Sequence, residues 1–220
     1  MSVEAVLMDL DGTLVDTAPD LVGVLNALLV DRGLPPVPFA IARNEVSNGA
    51  PGLLRLGFPE YGSDEALEPL RLEFLEIYTR NVCVYSRLFN GLSYILSKLN
   101  EISIPWGIVT NKPHSMTTPL LEALNLPHPP GCVISGDRLP QRKPHPAPLL
   151  LGADELGIDA EHCVYVGDAR RDIDAGQAAG MATVAAAYGY IRAADDPAQW
   201  GASTVIRRPG ELLDAVNGLA

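Results

Sequence analysis

From residue 91 to the end of the chain, helical segments alternate with short strand-like segments. The strand-like runs are apolar, as in buried strands, and longer stretches with helical spacing separate them. Such alternation indicates parallel strands joined by helices that cover both faces of the sheet. The sequence therefore predicts an α/β fold with a Rossmann-like, doubly wound parallel sheet. Strands are predicted at residues 3–8, 104–109, 132–135, 163–166, 181–186 and 204–206, and helices at 91–100, 115–124, 146–156, 172–179 and 210–216.

The segment between the first two predicted strands has a different pattern. Leu21, Leu25 and Leu28 recur at helical spacing, and residues 64–78 show the same spacing. Residues 47–52, rich in small and turn-forming side chains, are predicted to form a loop that opens onto a helix. Because no alternation typical of strands occurs in this segment, we expect an all-helical insert.

The composition is that of a globular chain with an acidic surface. Of the 220 residues, 47% are hydrophobic and 20% are charged, and the formal net charge is −11. Acidic surfaces disfavour nucleic acids and anionic membranes as partners. An anionic substrate would therefore need a metal ion and a few well-placed cations.

Cysteine usage and the N-terminus indicate a cytoplasmic protein. Cys83, Cys132 and Cys163 match no zinc or redox spacing, so we expect reduced thiols. The N-terminus has neither the basic region nor the long apolar region of a signal peptide. No apolar run approaches the ~20 residues that a membrane-spanning helix needs.

Two aspartates follow the first predicted strand, in the order Asp9, Leu10, Asp11, Gly12, Thr13. Carboxylates two positions apart on an extended segment point the same way. They repel each other unless a cation or a shared proton intervenes. Gly12 permits a tight turn that exposes backbone N–H groups to an anion. A lone aspartate here would suit an ordinary strand-end turn, whereas the pair indicates a chemical role.

Two further junctions carry groups that suit a phosphate. Thr110 and Asn111 follow the strand at 104–109, and their hydroxyl, amide and backbone N–H groups can bind phosphate oxygens. Lys143 precedes the helix at 146–156 and can supply a fixed positive charge. Each signal is weak alone, because threonine and asparagine are also common helix caps and loop lysines are commonly solvated.

Asp168 and Asp172 lie four residues apart, directly after the strand at 163–166. Mg²⁺ favours one or two carboxylates, waters and substrate phosphate, so this pair can bind it directly and through water. The alternative is that both carboxylates merely favour the N-terminus of the following helix.

The order of these motifs along the chain resembles the haloacid dehalogenase-like superfamily. A D-x-D pair, a threonine, a lysine and G-D-x-x-x-D follow one another at the strand and helix junctions, and the resemblance covers essentially the whole chain. It implies that Asp9 is a nucleophile that forms an aspartyl-phosphate. It also implies that Asp11 protonates the leaving alcohol and then activates water, while Thr110 and Lys143 hold phosphoryl oxygens.

The same resemblance implies a Mg²⁺ cofactor. Its ligands would be Asp9, the backbone carbonyl of Asp11 and Asp168, with Asp172 in support. Dehalogenases of this superfamily lack an acid at the position of Asp11, whereas phosphatases have one because an alkoxide leaving group needs a proton. We therefore expect a phosphomonoesterase.

The helical insert resembles the cap of this superfamily. The resemblance implies an all-helical cap at residues 15–82 and a core formed by residues 1–14 and 83–220. Such a cap closes over the site, excludes water and reads the leaving group. Four residues of the cap are expected to face the substrate, namely Ser47, Asn48, Gly49 and Arg55. Their types also suit a helix-entry loop and a solvated arginine.

Two subgroups are similar to this chain. Residues 167–181 and 48–51 resemble bacterial phosphoglycolate phosphatases, whereas residues 31–35 and 86–89 resemble N-acetylmuramic acid 6-phosphate phosphatases. Asn48 stands where the second subgroup is expected to have glycine. The resemblance thus leaves 2-phosphoglycolate and N-acetylmuramic acid 6-phosphate as candidate substrates, with a slight preference for the second.

Two other functions share these motifs. A phosphomutase of the β-phosphoglucomutase type would return the phosphoryl group to a sugar, and a non-catalytic regulatory module would keep the fold without the reaction. Since every catalytic position is filled, we expect an enzyme whose partner is a small-molecule phosphate ester, without nucleic acid or membrane. The chain is expected to be a monomer or a homodimer.

Overall fold

A computed structural model describes residues 2–219, and its central element is a parallel sheet. The sheet has six parallel strands, and the first strand of the chain lies in its interior. This arrangement confirms the predicted doubly wound α/β fold. Each of the six strands ends within two residues of its prediction. The described residues contain eight strands, of which β2 and β3 lie outside this sheet: β1 (Ala5–Met8), β2 (Val15–Asp16), β3 (Arg87–Leu88), β4 (Trp106–Val109), β5 (Cys132–Ile134), β6 (Cys163–Gly167), β7 (Ala182–Ala186) and β8 (Thr204–Ile206). Their order in the sheet is β5-β4-β1-β6-β7-β8.

Helices cover both faces of the sheet and form the insert. The five helices predicted after residue 91 are present, with ends within two residues of the predictions. The helices are α1 (Ala18–Asp31), α2 (Phe39–Ala42), α3 (Gly49–Gly57), α4 (Asp64–Arg80), α5 (Leu92–Glu101), α6 (His114–Leu124), α7 (Ala147–Leu156), α8 (Arg170–Ala178) and α9 (Leu212–Gly218). No helix among residues 2–219 is long and apolar enough to cross a membrane.

Strand β1 is buried on both faces because helices cover both sides. Val6 and Met8 pack into one apolar cluster, and Ala5 and Leu7 pack into the cluster on the opposite face. From β1 the chain adds β4 and β5 on one side, then crosses back to add β6, β7 and β8 on the other. The carboxyl end of β1 is therefore the point where the strand order reverses, which is where ligands bind in open α/β sheets.

Helices α1 to α4 pack around an apolar cluster of their own, which includes Leu25, Leu28, Phe58 and Phe74. We call residues 18–80 the helical insert. Its ends meet in a short antiparallel ribbon in which β2 pairs with β3. This ribbon was not predicted, because two-residue strands are too short to show alternation. The exact division into a cap at 15–82 and a core at 1–14 and 83–220 stays a prediction.

The predicted loop at residues 47–52 was wrong. Residues Arg43–Asn48 form a 3₁₀ helix that joins α3 directly at Gly49. Gly49 has a φ of 64°, which lets the chain turn between the two helices. Pro51 lies in the first turn of α3, where its missing N–H removes no helical hydrogen bond. The residue types of a turn therefore serve a helix junction here.

All three thiols are free within the described part of the chain, as predicted. Cys132 and Cys163 are buried, and Cys83 is half-buried. Burial raises the pKa of Cys132 to about 12 and the pKa of Cys163 to about 11. Both buried thiols are thus protonated and act as small apolar side chains.

The buried carboxylate of Asp20 fixes the start of the insert to the segment that returns to the sheet. It accepts hydrogen bonds from the Tyr85 and Ser86 N–H groups, both at 2.9 Å, and from Ser86 Oγ at 2.6 Å. Asp20 is only 6% exposed, so its loss would leave these donors without a partner in a site largely closed to water.

We predict that Asp20→Ala lowers the free energy of unfolding by about 2–3 kcal/mol, since buried donors lose a charged acceptor. Urea denaturation measures the change. Asp31→Ala removes an exposed aspartate at the other end of α1 and serves as the matched control. It should alter the free energy of unfolding by less than about 0.5 kcal/mol. Equal effects of the two variants would contradict the structural role of Asp20.

Candidate active site

A buried lysine lies between two carboxylates at the carboxyl end of β1. Lys143 Nζ is 3.0 Å from Asp9 Oδ1 and 2.8 Å from Asp172 Oδ1. It also donates to the Val109 carbonyl oxygen at 3.0 Å and to the Tyr165 hydroxyl at 2.7 Å. A solvated loop lysine was the alternative expected from the sequence. Instead, the ammonium is a fixed cation shielded from water.

Asp9, Asp168 and Asp172 form a cluster in which one oxygen of each carboxylate lies within 4.8 Å of the others. All three residues are buried. Burial, followed by the charges of Asp172 and Asp9, raises the pKa of Asp168 to about 7, and burial also raises the pKa of Asp172. The donors are all oxygens, which suits a hard divalent cation such as Mg²⁺. The three carboxylates repel one another, and a bound metal ion would offset this repulsion, so the cluster suits a metal ion.

The orientation of Asp168 is set by neighbours from the core and from the insert. Its Oδ2 accepts hydrogen bonds from Tyr190 N–H at 2.8 Å and from Ser47 Oγ at 2.9 Å. Gly12, with a φ of 86°, passes so close that a Cβ there would lie 2.1 Å from Asp168 Oδ2. Only glycine therefore fits at residue 12, and Ser47 couples the insert to the carboxylate cluster.

Asp11 lies outside this cluster and has different partners. Its Oδ1 accepts from Thr17 Oγ1 at 2.6 Å and from Lys112 Nζ at 3.1 Å. Lys112 Nζ is also 3.1 Å from the hydroxyl of Tyr78, which belongs to the insert. Although burial disfavours its charge, Asp11 and Tyr78 raise the pKa of Lys112 above its usual value, so Lys112 stays protonated.

Thr110 and Asn111 lie at the end of β4, beside the cluster. Thr110 is 3% exposed, and its hydroxyl accepts from Lys112 N–H at 3.1 Å. The side-chain amide of Asn111, predicted to bind phosphate oxygens, forms hydrogen bonds with the main chain of Lys143. It donates to the Lys143 carbonyl oxygen and accepts from Lys143 N–H, both at 3.0 Å. The Asn111 side chain therefore joins two loops and positions Lys143.

A cavity of about 430 Å³ lies between the strand ends and the insert. The structure brings most of the predicted residues to it or directly beneath it. Those that line it are Asp9, Asp11, Thr110, Asn111, Ser47, Asn48 and Gly49. Those that contact the lining residues or the carboxylate cluster from beneath are Gly12, Lys143, Asp168 and Asp172.

Arg55 is the one predicted site residue that the structure does not bring to the others among residues 2–219. Its guanidinium lies outside the cavity and pairs with Asp64, with Nε 2.9 Å and Nη2 2.6 Å from the carboxylate oxygens. Arg55 belongs to the last turn of α3 and Asp64 to the first turn of α4, so the two helices bring these charges together on an exposed surface. Arg55 thus takes part in an exposed ion pair, and its contact with substrate stays a prediction.

Four charged side chains line the cavity without having been predicted as site residues, namely Arg71, Lys112, Arg142 and Arg171. Lys112 directly follows the Thr110-Asn111 pair, and Arg142 directly precedes Lys143, so their neighbours were the available signal. Arg171 follows Asp168 and donates to the Ser47 carbonyl oxygen at 2.7 Å. Tyr78 gave no signal beyond its apolar position on a helix.

Comparison with known proteins identifies similar chains along nearly the full length. The family model for haloacid dehalogenase-like hydrolases matches residues 6–186. An N-acetylmuramic acid 6-phosphate phosphatase of Pseudomonas putida is 40% identical over 217 residues, covering 99% of this chain and 97% of that protein. A phosphoglycolate phosphatase of Xanthomonas campestris pv. campestris is 44% identical over 212 residues, covering 96% and 95%.

Solved structures are similar over the same length. A crystal structure of a predicted phosphoglycolate phosphatase from Haemophilus somnus superposes with a TM-score of 0.84, at 29% identity, and the match covers 96% of this chain and 97% of that one. The two sequence relatives described above thus have different names at similar identity, and both are named phosphatases.

We predict that the metal-free protein loses stability as pH rises from about 4 to 7. In this range the folded protein keeps the proton on Asp168, whose pKa is about 7, whereas the unfolded chain releases it near pH 4. Because the folded state binds more protons, its stability falls with rising pH, by a few kcal/mol as an order of magnitude.

Urea denaturation in the presence of a chelator, at several pH values, measures this slope. Asp168→Asn removes the titrating carboxylate and should flatten the slope between pH 4 and 7. Identical pH profiles for the wild type and Asp168→Asn would contradict the raised pKa.

Proposed function

Because this chain belongs to the haloacid dehalogenase-like hydrolase family and is a phosphomonoester hydrolase, we propose that it acts through an aspartyl-phosphate on Asp9 with Mg²⁺ as cofactor. One observation carries this proposal. Asp9 lies in the carboxylate cluster beside Lys143, whereas Asp11 lies outside it with Thr17 and Lys112. Two adjacent carboxylates thus have the separate surroundings that a nucleophile and an acid/base need.

Asp9 is held for attack on phosphorus. The Leu10 N–H donates to Asp9 Oδ1 at 2.8 Å, and the Lys143 ammonium contacts the same oxygen. A fixed ammonium offsets part of the repulsion between the carboxylate and an approaching phosphoryl group. Asp9, the Asp11 carbonyl and Asp168 would hold Mg²⁺, with Asp172 in support. When bound, Mg²⁺ supplies positive charge that further offsets the charge of the phosphoryl oxygens.

Asp11 moves the protons. In the first step the phosphoryl group passes from the ester oxygen to Asp9, and protonated Asp11 gives its proton to the leaving alcohol. In the second step Asp11 takes a proton from water, which attacks phosphorus and releases inorganic phosphate and Asp9. Thr17 and Lys112 hold the Asp11 carboxylate through its Oδ1.

The insert limits the access of water to the covalent intermediate. Ser47 contacts Asp168, Arg171 contacts the Ser47 carbonyl, and Tyr78 contacts Lys112. These contacts keep the insert against the strand ends, which supports a role in excluding water between the two steps.

The proposed substrates are N-acetylmuramic acid 6-phosphate and 2-phosphoglycolate, since the two relatives described above are named for them. A cytoplasmic location and a monomeric or homodimeric state stay predictions from the sequence.

We predict that Asp9→Asn lowers phosphate release by at least about 1,000-fold, because the amide cannot form the covalent intermediate. Release from both esters is measured with Mg²⁺ and again with a chelator, and the wild type should be active only with the metal. Asp154→Asn changes an exposed aspartate on α7 and should keep wild-type turnover. Near-normal turnover by Asp9→Asn would rule out the covalent mechanism.

We predict that Asp11→Asn separates the two steps. With 4-nitrophenyl phosphate, whose leaving group needs no proton, the variant should release one 4-nitrophenolate per enzyme in a fast burst and then turn over slowly. With 2-phosphoglycolate no burst is expected, and turnover should fall by about 100- to 10,000-fold. Rapid-mixing experiments measure the burst and the later turnover with each ester. Equal slowing of both esters without a burst would assign Asp11 a different role.

A further inference from the structure

The cavity continues beyond the reacting residues, along helix α4. Tyr78, Phe74 and Arg71 lie on one face of this helix, and Tyr78 contacts Lys112, the partner of Asp11. Phe74 and Arg71 also line the cavity. Arg71 precedes Tyr78 by seven residues, which places it two turns, or about 10 Å, further along the helix axis. A cation thus lies at a distance from the phosphoryl position.

Much of the cavity lining is apolar. Its apolar wall includes five large uncharged side chains: Leu21, Val46, Phe74, Leu75 and Met116. A ligand that spans the cavity therefore has an anionic phosphoryl end, a middle part with apolar surface, and a far end that meets Arg71.

Glu68 orients the guanidinium of Arg71 by accepting hydrogen bonds from only one of its edges. Arg71 Nε donates to Glu68 Oε2 at 2.6 Å, and Nη2 donates to Glu68 Oε1 at 2.7 Å. The opposite edge, formed by Nη1 and Nη2, makes no hydrogen bond to another side chain among residues 2–219. Two parallel N–H groups on such an edge match the two oxygens of a carboxylate.

We propose that Arg71 binds a substrate carboxylate remote from the phosphoryl group, and that N-acetylmuramic acid 6-phosphate fits this arrangement. This inference rests on the proposed function and narrows its substrate. Three bonds separate phosphorus from the carboxyl carbon in 2-phosphoglycolate, a reach of about 4 Å. In N-acetylmuramic acid 6-phosphate eight bonds separate them across the sugar ring, a reach of roughly 8 Å.

The size of the cavity agrees with the longer ester. N-acetylmuramic acid 6-phosphate has about 24 non-hydrogen atoms and 2-phosphoglycolate about nine, whereas ligand pockets of 300–1,000 Å³ typically bury most of a drug-sized ligand. A cavity of about 430 Å³ therefore suits the sugar ester. The smaller ester would leave most of the apolar wall in contact with water.

A comparison of two sugar esters tests this proposal. N-acetylglucosamine 6-phosphate is the same sugar phosphate without the lactyl ether that carries the carboxylate. We expect the wild type to favour N-acetylmuramic acid 6-phosphate in kcat/KM by about 10- to 100-fold, the usual effect of a charge-assisted hydrogen-bonded pair. Arg71→Ala should bring this ratio close to one, and Arg71→Lys should give an intermediate ratio.

Arg80→Ala is the matched control. Arg80 pairs with Glu76 on the same helix but lies on the exposed face, so its removal should keep the wild-type ratio. Arg142 also lines the cavity, at the end that holds Lys143. A ratio abolished by Arg142→Ala and kept by Arg71→Ala would overturn the proposal.

Two other results would overturn it as well. One is a wild-type ratio near one. The other is an equal loss of kcat/KM for both sugar esters in Arg71→Ala, which would indicate a structural effect. Failure of the proposed function gives a different result. The wild type would then release phosphate neither from the two sugar esters nor from 2-phosphoglycolate.

Discussion

Three ionised carboxylates that are buried together repel one another and need positive charge close to them. Asp9, Asp168 and Asp172 meet at the carboxyl end of β1, and Lys143 supplies a buried cation to two of them. The Lys143 ammonium is in turn held by backbone and tyrosine oxygens, while the Asn111 amide fixes its main chain. Burial, followed by the remaining repulsion from Asp172 and Asp9, raises the pKa of Asp168, and a divalent cation would relieve this repulsion.

The same charges connect the sheet to the helical insert. Ser47 donates to Asp168 and accepts from Arg171 through its carbonyl oxygen. On the other side of the cavity Lys112 joins Asp11 to Tyr78. The insert therefore contacts the carboxylate cluster through Ser47 and is connected to Asp11 through Lys112. A change in the position of the insert would alter the surroundings of Asp168 and Asp11, to which the proposed mechanism assigns roles.

The sequence predicts the sheet and the strand-end motifs well, for a physical reason. Buried parallel strands are apolar runs, and the residues directly after them must converge at one edge. Contacts between the insert and the strand ends have no such signature. The position of Arg55 could not be predicted because its partner Asp64 lies on another helix, and the side of α3 that faces the cavity cannot be read from its own sequence. Tyr78 was missed because a tyrosine at an apolar helix position is usually a core residue.

The ribbon of β2 and β3 brings the two ends of the insert side by side, with Val15 opposite Leu88 and Asp16 opposite Arg87. A segment that leaves and rejoins a domain at neighbouring points can be lengthened, shortened or exchanged without disturbing the sheet. Arg71 and the apolar wall of α4 lie on the exchangeable side of this ribbon, whereas Asp9, Lys143 and Asp168 lie on the fixed side. This architecture allows selectivity to evolve by replacement of one module, provided that the new module restores the contacts with Asp168 and Lys112.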